Sequence, residues 1–235
     1  NLTQDMFREE EYQGKTQQSL AEKLVNRYTD VLGLQNQDGQ FRFDNARIRM
    51  GLDTLEIILQ SSRAEQWVWP QYKYGKLLMQ VDGAQKARPF FAKVLLDKWG
   101  ESYIWGAFAD TFIEEDPPAY AKCLFRGLRL SKNTGFSLAL HEKAMLYLKS
   151  IQKYPEAKRE ALIVSEYRKS QGWPESSIVE SERNEDWFDV EASEDNTKLY
   201  QELSTGSETY VFPYANKTSF YVEWRDDKKG LMGIA

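Results

Sequence analysis

Five residues of alternating size recur at a fixed interval along the middle of this chain. Gly75, Leu78, Ala87, Phe91 and Val94 return 34 residues later as Ala109, Phe112, Ala121, Phe125 and Leu128. Each pair keeps its class: small, large apolar, small, aromatic, aliphatic. A period of about 20–50 residues marks stacked supersecondary units, because one such unit cannot bury its apolar face alone. On either side of the turn in each set the spacing is three or four, the interval of one helix face. Asp82-Gly83 and Asp116-Pro117-Pro118 fall at matching places between the two helices of each unit. Prolines are tolerated there because the first N–H groups of a helix have no internal partner. The pattern predicts antiparallel helical hairpins, with small residues allowing close approach and large ones filling the gap to the next hairpin.

Trp105, Phe108, Ala109, Phe112, Ala121, Phe125 and Leu128 resemble one tetratricopeptide repeat, and the set from Gly75 to Val94 resembles the repeat before it. The resemblance covers about Val68 to Gly135. A third unit, from about Phe136 to Lys169, keeps the helix–turn–helix form around Tyr154-Pro155. Pro155 occupies the slot held by Ala87 and Ala121, so this unit reads as divergent or terminal. The fold class expected is mainly α: a short tetratricopeptide-like solenoid with a small C-terminal β-hairpin or truncated barrel.

Outside the repeat the grammar changes. Residues from Thr3 to Leu34 favour helix, with Leu20, Leu24, Tyr28, Val31 and Leu32 as the expected buried stripe. Asp44 reads as the N-cap of a second helix carrying Ile48, Leu52, Leu55 and Leu59. After Gly172-Trp173-Pro174 comes an acidic, irregular stretch anchored by Trp187 and Phe188, then a short helix at 196–203. Thr209–Phe212 and Thr218–Trp224 are β-branched and aromatic, as strands are, and Asp226–Gly230 is a hairpin turn signal. That tail has a faint similarity to the first strands of cold-shock and S1-type barrels. The division expected is 1–172 helical repeats, 173–207 acidic linker with a short helix, and 208–235 β segment.

Charge is unevenly spread. Residues 65–172 carry 17 basic and 12 acidic side chains, a net of +5, whereas residues 173–200 carry 2 and 9, a net of −7. Such asymmetry suits docking of one segment on the other, a polyanion partner, or a solvated surface. One cysteine, Cys123, excludes an intrachain disulfide framework. One cysteine with one histidine, His141, excludes the usual zinc clusters. No apolar run approaches the ~20 residues that span a bilayer, and no secretory signal is visible. The expected setting is cytoplasmic, with neither membrane, metal nor cofactor.

No nucleotide-loop, nucleophile-elbow or zinc-protease motif is present. His141 reads as a surface or satisfied residue, Cys123 as a small core residue, and Glu114-Glu115-Asp116 as carboxylates ahead of a helix start. The expected function is a non-enzymatic protein-interaction scaffold. The tetratricopeptide resemblance implies a groove lined by the first helix of each hairpin, placing Trp69, Tyr72, Lys73, Lys76 and Met79 there, with Tyr103, Asp110 and Ile113 beside them. Aromatic anchors with interspersed lysines suit a peptide or an acidic tail. The alternative is a nucleic-acid-associated module of a bacterial conflict or defence protein, using the basic middle and stacking residues Tyr210, Phe212, Phe220, Tyr221 and Trp224.

Overall fold

The structure is a computed structural model and describes residues 2–64, 67–215, 222–226 and 231–234. Six helices form three consecutive antiparallel pairs: α3 (Val68–Asp82) with α4 (Ala84–Asp97), α5 (Ser102–Asp110) with α6 (Pro117–Leu130), and α7 (Thr134–Ser150) with α8 (Tyr154–Ser170). Successive pairs stack, α4 on α5 and α6 on α7, and α5 also touches α7. Helices α1 (Leu20–Leu32) and α2 (Asn45–Leu59) pack against α3 at the N-terminal end.

The repeated residues explain the stacking. Gly75, Leu78, Ala87, Phe91 and Val94 are buried, as are Ala109, Phe112, Ala121, Phe125 and Leu128. A Cβ at Gly75 would stand 3.1–3.4 Å from three ring atoms of Phe91, so the missing side chain is the space the ring uses. Gly83 alone joins α3 to α4 with φ +96°, a backbone angle open to glycine and strained for other residues. At the α5–α6 turn, Asp116 caps α6 by accepting from Ala119 N at 3.0 Å, and Pro117 and Pro118 fill its first turn. The third pair has longer helices of 17 residues each, and Ala144, Ala157, Ala161 and Val164 are its buried small residues. The extra length shifts the packing register past Pro155, so the third unit falls out of phase.

Three expectations at the ends need correction. Helix does not begin at Thr3. A 3-10 turn (Gln4–Phe7) and a two-stranded ribbon, β1 (Glu10–Tyr12) with β2 (Lys15–Gln17), precede α1, whose N-cap is Ser19 accepting from Glu22 N. Gln13 and Gly14, both at positive φ, make the turn that ends any helical run. The buried face of α1 is Ala21, Val25, Thr29 and Leu32, while Leu20, Leu24 and Tyr28 are exposed. The close approach of α1 to α2, where a Cβ on Gly51 would meet Leu32 Cδ1 and Cδ2, selects the smaller side chains for the contact. Thr209–Phe212 is not a strand. It lies in two 3-10 turns, Ser207–Tyr210 and Phe212–Tyr214, because Pro213 cannot donate to a ladder and Tyr210 and Val211 pack on the helices.

Farther on, β3 (Val222–Asp226) pairs antiparallel with β4 (Leu231–Ile234). These strands pair only with each other, so no barrel opening of the cold-shock kind is present among the described residues. The turn at Asp227–Gly230 lies outside them.

The acidic segment runs back over the helical pairs as a strap containing α9 (Ser177–Glu182) and α10 (Thr197–Leu203). Its Glu182 pairs with Lys149 at 2.5 Å and accepts from Trp187 Nε1 at 2.9 Å. Lys158 donates to Val190 O at 2.9 Å and sits 5.1 Å above the Phe188 ring. Helix α10 then lies on α6, and Val179, Trp187 and Val211 are buried with the helical core. Part of the charge asymmetry is thus spent on docking the strap. No helix among the described residues is long and apolar enough to cross a membrane.

Candidate functional site

The first helices of the three pairs, α3, α5 and α7, share one face, and seven of the eight residues expected there gather on it. Trp69 and Tyr103 stack with ring centroids 5.8 Å apart and planes 3° from parallel. Tyr72 stands edge-on to both, 6.3 Å from Trp69 and 5.6 Å from Tyr103, and meets Phe91 of the core at 5.8 Å. Such edge-to-face contacts hold rings in place beyond the effect of area alone. Trp69 remains 44% exposed, a fixed aromatic platform half in water. Lys76 is exposed and places its ammonium 5.9 Å above the Tyr72 ring.

Lys73 does not belong with them. Its ammonium binds Asp30 of α1 at 2.8 Å, and the side chain ties the repeats to the N-terminal helix. Lys73 and Lys76 lie within one turn of α3, but only Lys73 reaches a carboxylate of α1.

Met79 and Asp110 line a cavity of about 460 Å³ together with Asp82, Thr111, Ile113 and Glu114. Its carboxylates are largely engaged. Asp82 pairs with Arg49 at 2.9 Å and Lys86 at 3.1 Å, and Glu115 pairs with Arg88 at 2.9 Å. Hydrogen bonds from Arg88 and Gln85 hold the Glu115 carboxyl below the usual range. Asp110 receives Lys143 of α7, whose Nζ is 2.7 and 2.6 Å from its two oxygens. This bridge joins α5 to α7 across the face. Most of the charges on this face are therefore paired, Lys76 being an exception among them.

A second cavity, of about 540 Å³, lies on the other side of Ile113 and is largely apolar, with Pro117, Tyr120, Lys143, Leu146 and Ile151 in its wall. Ile113 is 55% exposed and belongs to both cavities. Burial, with Tyr103 and Asp110 nearby, pushes the Tyr72 phenol up to about 12. Burial, Asp110 and Tyr147 push Tyr120 up as well. Both hydroxyls are thus neutral at physiological pH. Lys143 and Leu146 were missed in the sequence because the third pair had lost the repeat register.

The other residues weighed for chemistry are internal. His141 Nδ1 lies 2.6 Å from Glu160 Oε2, and both side chains are buried. Cys123 is buried in the core, its thiol pushed up to about 12 by burial, with Asp116 adding to the effect. Of the stacking candidates, Tyr210 packs on Phe112 at 5.5 Å, and Phe212 on Trp99 at 6.0 Å. Phe220 and Tyr221 lie outside the described residues, as does the Trp224 side chain.

A family model described as "Domain of unknown function (DUF7017)" matches residues 53–207, from within α2 through the end of the strap's α10. No curated protein and no solved structure matches the chain.

Proposed function

The chain belongs to the DUF7017 family, whose description assigns no activity, and we propose from its own surfaces that it is a protein-interaction scaffold. On this reading the three helical pairs form a short tetratricopeptide-like solenoid. The face of α3, α5 and α7 takes a peptide segment of a partner protein, anchored by apolar side chains.

The observation that carries this reading is the position of Ile113. It stands exposed between two cavities, one continuing toward Met79 and the other toward Leu146, with the Trp69–Tyr103 platform on the same helices. A peptide laid across the face meets an aromatic anchor point, a recess walled by Met79, Ile113 and carboxylates, and then an apolar recess. Binding sites of this kind draw their affinity from a few buried aromatic or aliphatic contacts, with polar groups fixing register. The Asp110–Lys143 pair is the polar group placed to fix register here.

The test is selection of a displayed random-peptide library on the immobilised protein, followed by titration of the enriched peptides. Enriched peptides carry apolar anchors and lose about ten-fold or more in affinity to Ile113→Asp and to Trp69→Ala, with helicity unchanged. Equal binding to wild type and both variants, or no enrichment, ends the groove reading.

A further inference from the structure

On the opposite side of the array, where the strap crosses α6, three cations stand without carboxylate partners. Lys122, Arg126 and Arg129 follow one another along α6 at intervals of four and three, which places them on one face. Among the described residues none of the three forms an ion pair. Nε of Arg126 is buried and has no hydrogen-bond partner, while its guanidinium carbon sits 5.8 Å from the Trp105 ring. Burial and the like charge of Arg129 hold Arg126 below the usual arginine range, and Glu208 only partly offsets them. Two guanidinium-bearing side chains are therefore close enough to repel each other, with one carboxylate near them and no salt bridge formed. That arrangement is relieved by an added anion with several acceptor oxygens.

Aromatic rings continue from the same spot. Trp105 meets Trp99 at 5.0 Å, and Phe212 of the strap stacks on Trp99 at 6.0 Å with planes 7° apart. Phe212 is 56% exposed, so one face of its ring is covered by Trp99 and the other is open to solvent. Lys122 lies 5.8 Å from the Tyr210 ring. Unpaired arginines linked through Trp105 and Trp99 to an open ring face are the combination that takes a heteroaromatic base together with its phosphate.

We propose that this patch is a nucleotide-binding site, with a phosphate held by Arg126 and Arg129 and the attached base stacked on the open face of Phe212. The ligand is a nucleoside phosphate, either free or as one unit of a single strand. The site lies on the other side of the array from the peptide groove and does not depend on it. It also gives the strap a role beyond packing, since residues from both α6 and the strap complete it.

The experiment is fluorescence polarisation of the full chain with a short fluorescein-labelled oligothymidylate, and in parallel with a fluorescent adenosine nucleotide, across a salt series. Binding of either probe that weakens as salt rises is expected, and which probe binds distinguishes the two sources. Arg129→Gln and Phe212→Ala change exposed side chains and test the site without risk to the core, and Arg126→Gln is the third variant. Each is expected to lower affinity about five- to ten-fold, with Arg129→Gln also reducing the salt slope. Absence of binding by both probes at low salt overturns the proposal. So does binding unaffected by Arg129→Gln and Phe212→Ala, or displacement by polyglutamate as effective as by unlabelled oligothymidylate.

Discussion

His141 and Glu160 meet inside the third helical pair, Nδ1 to Oε2 at 2.6 Å, and Glu160 is the acceptor around which the strap is organised. Its other oxygen receives Asn196 Nδ2 and the Tyr200 hydroxyl, both at 2.5 Å. Asn196 also donates to Glu156 O at 3.0 Å. One buried carboxylate thus fixes α7, α8 and the start of α10 relative to each other. Three donors compensate for the loss of water around it.

Removing the carboxylate leaves three buried donors unsatisfied. Glu160→Leu is expected to cost about 3–5 kcal/mol, the range for breaking a buried charged network from one side. Glu160→Gln keeps an acceptor and the shape, and is expected to cost less, about 1–3 kcal/mol. Urea denaturation followed by circular dichroism measures both, and equal losses would show that a neutral acceptor at this place recovers nothing and that the charge carries the network.

Gly127 tests the close approach of α6 to α5 within the second pair. A Cβ there would lie 2.9 Å from the backbone oxygen of Ser102 and 3.2 Å from Leu140 Cδ1. The first is backbone and cannot swing aside, so α5 and α6 have to separate. Gly127→Ala is expected to destabilise by about 1–3 kcal/mol despite the better helix propensity of alanine. Thermal unfolding reads the outcome, and a raised midpoint would mean that the helices shift freely.

What was legible in the sequence was the part governed by one period. The small and large positions from Gly75 to Leu128 reported the core because their spacing repeats, and Asp44 and Asp116 reported helix starts because capping is local chemistry. The α1 stripe was misread by one position. Leu20 and Leu24 are more apolar than Ala21 and Thr29, but the width of the gap to α2 chose the smaller pair, and width is a tertiary property. The clustering of Trp69, Tyr72 and Tyr103 was legible because Trp69 and Tyr103 stand 34 residues apart, one repeat period. Lys73 escaped because its partner, Asp30, is 43 residues away. Lys143 escaped because the third pair is longer than the first two. The Glu160 network had no sequence signal, since its partners lie up to 40 residues from Glu160.

Trp187 is the strap's anchor. It is buried, stacks at a tilt on Tyr154 at 6.1 Å and donates to Glu182, which in turn holds Lys149. Trp187→Ala is expected to remove about 3–5 kcal/mol, as for large aromatic truncations in cores. The loss should concentrate in the strap, because α3–α6 do not depend on this ring. Limited proteolysis of the variant is expected to cut first within residues 183–196, and cleavage equally distributed along the chain would contradict that placement.

Alkali should find the core's weak point before any surface group does. Cys123 is raised from 9.0 to about 12, and Tyr72 from 10.0 to about 12, each chiefly by burial. Burial disfavours the anion, so the folded chain keeps protons that the unfolded chain gives up once pH passes each ordinary value. Between about 9 and 12 the unfolded state binds fewer protons than the native one, and the sign of the linkage makes stability fall as pH rises. The protection is complete below about 9 and is lost progressively toward 12. Urea midpoints measured from pH 7 to 11 are expected to stay level up to about 9 and then decline. Cys123→Ala is expected to flatten the first part of that decline while leaving the part above about 10, where Tyr72 contributes. A decline that begins below 8, or one unchanged in Cys123→Ala, would mean that the thiol is not the first group to couple.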